Sequence, residues 1–190
     1  MSIQANKVLD AKGLACPMPI VKTKKAIKDL EPGHVIEVQA TDKGSTADIE
    51  AWAESTGHHY LGTVEEEDGL KHYLRKASDV ESRGENNHQK VVNLDHLQQK
   101  LDGHASVVIL DVREPAEFAF GHIPDAINIP LGELSDRMDE LNKNEQIYVI
   151  CRTGNRSDLA AKKLSEEGYD HVTNVVPGMN AWEGTVEEQK

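Results

Sequence analysis

The stretch QIYVICRTGNRSDLAAKKL, residues 146–164, decides the fold of the second half of this chain. Its first part, QIYVI, is a continuous apolar run, typical of strands that are buried on both faces of a parallel sheet. The segment after the following loop places Leu159, Ala160 and Leu164 at helical spacing. Cys151 therefore follows a buried strand and precedes a helix, a position where open α/β sheets form their active sites.

The second half of the chain alternates strand and helix patterns on both sides of this stretch. A continuous apolar run at residues 107–112, VVILDV, predicts another buried strand, and HVTNVV at residues 171–176 predicts a third. A short helix is predicted over residues 178–184. We therefore predict an α/β domain with a central parallel sheet over residues 90–190.

The first half shows a different order of patterns. A strand pattern over residues 8–14 is followed by a helix, a strand, a second helix and two strands that turn at Asp68-Gly69. The order βαβαββ predicts a two-layer α/β sandwich over residues 1–77. Between the halves, residues 78–89 contain one apolar residue and many turn-forming residues, so we predict a linker there.

Composition excludes several classes of protein. No window of the 190 residues approaches the roughly 18 consecutive apolar residues of a membrane helix, and the N-terminus lacks a secretory signal, so we expect a cytoplasmic protein. The net charge of −12 disfavours binding to nucleic acid or anionic membrane. Two distant cysteines do not make a disulfide framework, and the dispersed histidines lack metal-ligand spacing. We expect no metal and no cofactor.

The loop after the central strand has the composition of an anion-binding loop. Its glycine permits a tight curl, and backbone N–H groups at the start of the following helix can converge on a group held by Cys151. Such surroundings lower a cysteine pKa from about 8.5 to roughly 3.5–7.5, and they would hold a persulfide anion equally well. We expect Cys151 to be the nucleophile and Arg156 to stabilise charge on its sulfur. The other predicted persulfide-binding residues are Arg152, Thr153, Gly154, Asn155 and Ser157.

Residues 90–188 resemble a single-domain rhodanese, a family of thiosulfate or persulfide sulfurtransferases. The resemblance rests on DVRE at 111–114, EF at 117–118, GHIPDAINIP at 121–130, the Cys151 loop and PGMNAW at 177–182. The loop from Cys151 to Arg156 is six residues long, as in rhodaneses, whereas the related phosphatases and arsenate reductases have a loop one residue longer. A phosphatase is therefore the weaker alternative.

Three further side chains near this loop receive mainly structural interpretations. Asp111 and Arg113 end the neighbouring strand, where a charge pair could support the loop, and a purely structural ion pair, with Glu117 or Asp111 itself, explains them at least as well as catalysis. The Gly-His-Ile-Pro turn predicts that the His122 imidazole binds backbone groups.

Cys16 lies in a second candidate loop, GLACPMP, which joins the first strand to the first helix. We expect Cys16 at or next to the N-cap and Pro17 at the first helical position, where the missing N–H would have no intrahelical partner. Pro19 removes another donor at little cost. The N–H groups of Met18 and Ile20 then stay available to an anionic sulfur.

Residues 7–77 resemble the TusA-like family of small sulfur carriers. The resemblance rests on the CPMP motif and on LD at 9–10, GL at 13–14, Lys22, Gly33, TD at 41–42, DI at 48–49, Trp52, GH at 57–58 and RK at 75–76. In that family the motif cysteine accepts sulfur as a persulfide and passes it to a partner, which implies that Cys16 is a carrier. The lysines that follow it could dock an acidic partner, but a solvated helix face is the simpler interpretation.

The two resemblances together predict a sulfur relay in one chain. The Cys151 thiolate attacks the sulfane sulfur of thiosulfate, glutathione persulfide or polysulfide, and an acceptor thiol, with Cys16 as the intramolecular candidate, attacks the resulting persulfide. The direction of transfer stays open, and so does delivery to a protein partner. Replacing Arg156 with Ala is expected to weaken sulfur loading more than folding. The alternatives are a non-catalytic persulfide carrier or adaptor, and an oxidoreductase in which Cys16 resolves Cys151 as a disulfide.

Overall fold

The structure is a computed structural model that describes residues 3–81 and 88–189. The chain divides into two compact units, with the boundary between Asp79 and Val80. The middle of the predicted linker, residues 82–87, lies outside the described residues. Each unit is described below by itself.

The first unit is a four-stranded sheet with two helices, in the predicted order βαβαββ. Its strands lie in the order β1-β2-β4-β3; β1 pairs with β2 in parallel and the other two pairings are antiparallel. The elements are β1 (Lys7–Asp10), α1 (Met18–Lys28), β2 (Val35–Ala40), α2 (Ser45–Thr56), β3 (His59–Glu66) and β4 (Gly69–Arg75).

The core of the first unit lies between the helices and one face of the sheet. Ile36 and Val38 alternate along β2 towards that face, and Leu74 pairs with Ile36 from β4. Ile27 of α1 and Ile49 of α2 are buried in the same cluster. Burying one such side chain stabilises a fold by about 1.5–3 kcal/mol, so this shared face fixes both helices on the sheet. The predicted two-layer sandwich is confirmed.

The second unit is built on a five-stranded, all-parallel sheet with the strand order β5-β9-β8-β6-β7. The three predicted strands are its central strands, and two short edge strands, β5 and β7, were not predicted. Its strands are β5 (Val91–Asn93), β6 (Val108–Asp111), β7 (Ile127–Asn128), β8 (Ile147–Ile150) and β9 (Val172–Val176). Its α-helices are α3 (Leu94–Asp102), α4 (Pro115–Ala119), α5 (Leu134–Arg137) and α6 (Asn155–Glu166).

The central strand of this sheet explains where the Cys151 loop lies. All four residues of β8 are buried, as its continuous apolar sequence requires. Its last residue, Ile150, pairs with Asp111 at the end of β6, so both strands finish at the same edge of the sheet. The loop that starts at Cys151 therefore lies beside the segment that follows Asp111.

Glu81 and His88, which lie in the predicted linker, belong to the second unit and form hydrogen bonds within it. Asp79–Glu81 form a 3-10 helix, and the backbone carbonyl of Glu81 accepts a hydrogen bond from Asn155 Nδ2 at 2.5 Å. The backbone N–H of His88 donates to Asp158 Oδ1 at 2.9 Å. Both contacts are to α6, the helix that follows the Cys151 loop. Within residues 3–81 and 88–189, no helix has the length and hydrophobicity that a membrane-spanning helix needs.

Candidate functional sites

The sulfur of Cys151 lies at the carboxyl end of β8 and accepts two hydrogen bonds. The backbone N–H of Gly154 donates to Sγ at 3.1 Å, and the Ser157 hydroxyl donates at 3.3 Å. Gly154 has a φ of 96°, a backbone conformation that favours glycine, and it is the N-cap of α6. The side chain of Cys151 is buried. Among the described residues, the groups in hydrogen-bond contact with this sulfur are thus donors, which suits an anionic thiolate or persulfide.

A second turn packs against the back of this loop. The N–H of Met179 donates to the carbonyl of Cys151 at 2.7 Å, and the N–H of Asn180 donates to that of Arg152 at 2.9 Å. Gly178 precedes them with a φ of 103°, and a Cβ atom there would lie 2.4 Å from the Cys151 carbonyl oxygen. The close approach that holds the Cys151 backbone in place therefore requires glycine at this position.

Arg156 was expected to stabilise charge on the sulfur, but its terminal nitrogens bind carboxylates. The two nitrogens donate to the two oxygens of Glu117 at 2.8 and 2.9 Å, and Nη2 also lies 3.0 Å from Glu81 Oε1. The side chain is only 3% exposed. Burial lowers the pKa of Arg156, but the interactions with Glu117 and Glu81, together with the charge of Cys151, outweigh burial and raise it. The guanidinium thus joins the first turn of α6 to α4 and to the 3-10 helix.

Glu81 and Glu117 are site residues that the sequence analysis missed. Glu81 falls inside the predicted linker, and Glu117 was named in a motif and as a possible partner in a structural ion pair, but not as the partner of Arg156. Glu117 also accepts a hydrogen bond from the backbone N–H of Glu114 in a capping box at the start of α4. A Glu three residues after the N-cap is the one sequence signal that could have singled it out.

The remaining predicted loop residues have different surroundings. Arg152 is half-buried, and its side chain has no hydrogen bond or ion pair within the described part of the chain. Thr153 Oγ1 is buried and likewise lacks a hydrogen-bond partner among the described residues. Asn174 of β9, which was not predicted, donates from Nδ2 to the carbonyl of Gly154 at 3.2 Å. The side chain of Asn155 binds Glu81, as described above.

The supporting residues at the end of β6 form a structural ion pair. Arg113 Nη2 lies 2.6 Å from Asp111 Oδ2, and the same nitrogen donates to the carbonyl of Gly121 at 2.7 Å. His122 Nδ1 lies 2.8 Å from the carbonyl oxygen of Phe118, and the two rings are stacked. These contacts agree with the structural interpretation of Asp111, Arg113 and His122.

The loop around Cys16 differs from the predicted cap. Pro17 is the N-cap of α1 and Met18 is the first helical residue, so the prediction that placed Pro17 at the first helical position is wrong by one residue. The N–H of Met18 donates to the carbonyl of Ala15 at 3.0 Å. It is therefore occupied, contrary to the prediction that it stays available to sulfur. Pro19 is the second helical residue.

The exposed thiol of Cys16 binds a carboxylate instead of backbone donors. Its Sγ donates to Asp48 Oδ2 at 2.8 Å, and its backbone N–H donates to Asp42 Oδ2 at 3.3 Å. The hydrogen bond to Asp48 is the main cause that raises the pKa of Cys16; partial desolvation and the charges of Asp48 and Asp42 act in the same direction. Cys16 therefore stays protonated to a higher pH than a free cysteine.

A buried polar network supports the carboxylate side of this site. The Ser45 hydroxyl donates to the Asp42 carbonyl at 2.5 Å and lies 3.1 Å from His72 Nε2. On its other side, His72 Nδ1 lies 2.8 Å from Thr63 Oγ1 and 3.2 Å from the Tyr60 hydroxyl. Burial lowers the pKa of His72. A neutral imidazole thus helps to position the start of α2, which carries Asp48.

The helix next to Cys16 exposes apolar and basic side chains. Met18 is 45% and Val21 52% exposed, and Lys22 and Lys25 continue the same helical face at the i+4 and i+7 positions from Met18. Lys22 Nζ lies 3.4 Å from the backbone carbonyl of Asp10. Exposed apolar residues beside an exposed thiol are more typical of a protein-binding surface than of a small-molecule pocket.

Comparison with known proteins assigns a family to each half. Residues 7–76 match the family described as "Sulfurtransferase TusA", and residues 93–185 match the family described as "Rhodanese-like domain". Both matches agree with the resemblances found in the sequence. The two sites described above therefore fall in two different sulfur-handling families.

Relatives and solved structures give the same result. A Bacillus subtilis (strain 168) protein with the name "Putative sulfur carrier protein YrkF" is 53% identical over 97% of this chain and 100% of its own length. A protein from Allochromatium vinosum named "Sulfurtransferase" is 37% identical over 48% of this chain and 85% of its own length. The crystal structure of a rhodanese-like domain protein from Staphylococcus aureus has a TM-score of 0.50 at 38% identity, covering 54% of this chain and 100% of that one.

Proposed function

Since this chain belongs to the family of sulfur carrier proteins that join a TusA domain to a rhodanese-like domain, we propose that it is a sulfurtransferase with two sulfur-carrying cysteines. Cys151 takes sulfane sulfur from a donor as a persulfide, and Cys16 exchanges that sulfur with Cys151 and with an acceptor thiol. The observation that carries the proposal is the Cys151 sulfur at the end of β8, which accepts hydrogen bonds from Gly154 and Ser157.

The first step loads Cys151. Its thiolate attacks the outer sulfur of the donor, a new S–S bond forms, and the donor's S–S bond breaks with its electron pair going to the leaving group. With thiosulfate the leaving group is sulfite, and the negative charge of the thiolate ends on the terminal persulfide sulfur. The Gly154 N–H and the Ser157 hydroxyl would stabilise that charge at little cost of reorganisation, since the loop is already held in place.

The second step passes the sulfur between the cysteines. Sγ of Cys16 forms an S–S bond to the terminal sulfur of the Cys151 persulfide, the bond between that sulfur and Cys151 breaks, and Cys151 takes up the proton that Cys16 loses. Neither carbon skeleton nor net oxidation state changes, so the step needs no cofactor. Its reverse uses the same atoms, and Cys16 can equally load Cys151.

A second function is favoured by the burial of Cys151. If no donor reaches that sulfur during turnover, the protein acts as a persulfide carrier whose exposed Cys16 exchanges sulfur with separate proteins. Turnover separates the two functions, because a catalyst transfers sulfur many times per molecule, whereas a carrier without its partners is loaded once.

The test is intact-protein mass spectrometry of the wild type and of the variants Cys16→Ser and Cys151→Ser. Each protein is incubated with thiosulfate or glutathione persulfide and separated rapidly from the donor by gel filtration. The proposal expects a gain of one sulfur atom on each cysteine, with loading of Cys16 from thiosulfate depending on Cys151. If neither cysteine gains sulfur from any donor, the proposed function is wrong.

A further inference from the structure

The charged groups in contact with Cys16 are acidic and come from two segments of the first unit. Asp48 at the start of α2 binds Sγ, and Asp42, which follows β2, binds the backbone N–H of Cys16. Lys22 of α1 approaches the backbone of Asp10, while Lys12 pairs with Asp68. Lys12 is thus paired with a carboxylate, Lys22 keeps its charge beside a neutral carbonyl, and the charged groups in contact with Cys16 are two carboxylates.

The two carboxylates attract or repel any charged sulfur compound that approaches Cys16. Two unit charges about 4 Å apart in water interact by roughly 1 kcal/mol, which corresponds to several-fold in a rate. Thiosulfate is a dianion, and its approach to Sγ is opposed by Asp48 and Asp42. A sulfur-bearing group with a cation beside it is attracted instead, and its cation can take Asp48 away from the thiol.

We propose that Asp48 is a specificity-determining residue that makes Cys16 select cationic sulfur partners and reject anionic ones. The inference rests on the proposed function, in which Cys16 exchanges sulfur. It identifies the partner of Cys16 as a protein thiol or persulfide flanked by Lys or Arg, not a free anionic donor. Met18 and Val21, exposed next to Cys16, offer the apolar contact that such a protein surface would use.

The chain itself contains a cysteine that is flanked by arginine. Cys151 is followed by Arg152, whose side chain has no hydrogen bond or ion pair within the described part of the chain. A persulfide on Cys151 would therefore present sulfur next to an uncommitted cation. Thiosulfate, in contrast, should load Cys16 only after it has loaded Cys151.

The test uses two disulfides that differ in charge, applied to the full-length Cys151→Ser variant, in which Cys16 is the only thiol. Cystamine carries two positive charges and 3,3′-dithiodipropionate two negative charges. Each forms a mixed disulfide with Cys16 and releases one thiol, and mass spectrometry gives both rates. The ratio of the two rates cancels the fraction of Cys16 that is ionised. Dividing it by the same ratio for the neutral thiol N-acetylcysteinamide cancels the difference in intrinsic reactivity between the two disulfides.

We expect this normalised ratio to favour cystamine by about tenfold at low ionic strength and to approach one in 1 M salt. Adding Asp48→Asn should lower the low-salt ratio several-fold. The matched control is Asp29→Asn, because Asp29 is an exposed acid at the opposite end of α1, about 15 Å away along the helix. It should leave the ratio unchanged.

A normalised ratio near one in the Cys151→Ser protein with Asp48 intact, or a preference that survives 1 M salt or the Asp48 substitution, would overturn the inference. The salt series needs no substitution at Asp48, so it tests the charge preference of Cys16 even if that variant folds poorly. Sulfur uptake from cysteamine persulfide, a donor that carries an ammonium group, by the same Cys151→Ser protein separates this inference from the proposed function. Charge preference without uptake contradicts only the proposed function, and uptake without charge preference contradicts only the inference.

Discussion

Cys151 and Cys16 are the two cysteines of one chain, yet their surroundings are opposite. Cys151 is buried and accepts hydrogen bonds from an N–H and a hydroxyl, whereas Cys16 is exposed and donates a hydrogen bond to a carboxylate. Both follow a β-strand and precede a helix. The shared position shows that a strand-to-helix loop does not by itself activate a cysteine.

The difference lies in which partners the rest of each unit supplies. In the second unit, acidic residues near the loop are paired with Arg156, and donors remain for the sulfur. In the first unit, Asp48 reaches the thiol directly. We infer that Cys151 is suited to hold sulfur as an anion, and that Cys16 is suited to rest as a thiol until a partner arrives.

The largest expected effect is on the rate of sulfur transfer from thiosulfate, which should depend on Cys151 but not on Cys16. Cys151→Ser should reduce sulfur transfer from thiosulfate to a small thiol such as dithiothreitol to the rate without protein, because no other residue can form the persulfide from this donor. Cys16→Ser should retain the rate within about twofold, because this acceptor needs no carrier. Turnover measured as sulfite release decides this. Equal losses in both variants would contradict the division of roles.

The next largest effect is on stability, because substitutions near Cys151 should destabilise the protein much more than a substitution beside Cys16. Removing one partner of a buried ion pair typically costs about 3–5 kcal/mol, so Arg156→Ala or Glu117→Ala should destabilise the second unit by about that amount. The sequence predicts that Arg156→Ala affects loading more than folding, and the buried ion pair predicts a large effect on folding as well. Asp48→Asn, at an exposed site, should change stability by no more than about 1 kcal/mol.

Urea denaturation followed by circular dichroism measures these differences. Arg156→Lys keeps the charge but not the two parallel hydrogen bonds to Glu117, and should fall between the wild type and the alanine variant. An Arg156→Ala protein that unfolds like the wild type yet fails to gain sulfur would support the charge stabilisation predicted from the sequence and contradict the structural role.

A smaller effect concerns the pH dependence of Cys16. In the Cys151→Ser protein, alkylation by iodoacetamide should reach half its maximal rate above the ordinary cysteine pKa of about 8.5, because the hydrogen bond to Asp48 raises the pKa of Cys16. Asp48→Asn should move this midpoint to lower pH. A midpoint that stays in place would show that the carboxylate does not control the thiol, and Asp29→Asn serves again as the control.

The smallest expected effect is the contribution of His72, in the buried polar network beside Cys16, to the pH dependence of stability. Burial lowers the pKa of His72, while in the unfolded chain it protonates near the ordinary value of about 6.5. Below that pH the unfolded chain binds more protons than the folded one, so the first unit should lose stability as the pH falls. Hydrogen exchange of β2 and β4 amides at pH 7 and pH 5 tests this, and His72→Gln should reduce the dependence.

The sequence predicted those features that depend on short stretches of chain. The continuous apolar run before Cys151 was enough to predict a buried parallel strand, and the loop position at its end followed from strand and helix periodicity. The short edge strands β5 and β7 have only three and two residues, too few for a period to show. The shift of Pro17 to the N-cap lies within the one-residue uncertainty of such patterns.

The residues that the sequence analysis missed bind partners far away along the chain. Glu81 and Arg156 are 75 residues apart, Glu117 and Arg156 are 39 apart, and Asp48 and Cys16 are 32 apart. Each pair is formed because two elements pack side by side. Nothing in the spacing of a single sequence marks a carboxylate as the partner of a particular guanidinium or thiol.

The sequence by itself therefore determined the two folds, the division of the chain into two sulfur-handling families and the position of both cysteines in strand-to-helix loops. These follow from local periodicity and from contiguous motifs. Only the tertiary structure decided that Arg156 pairs with carboxylates and that Asp48 holds the Cys16 thiol. The physical reason is that the charge state of a sulfur depends on groups within a few ångströms in space, and folding brings those groups from distant parts of the chain.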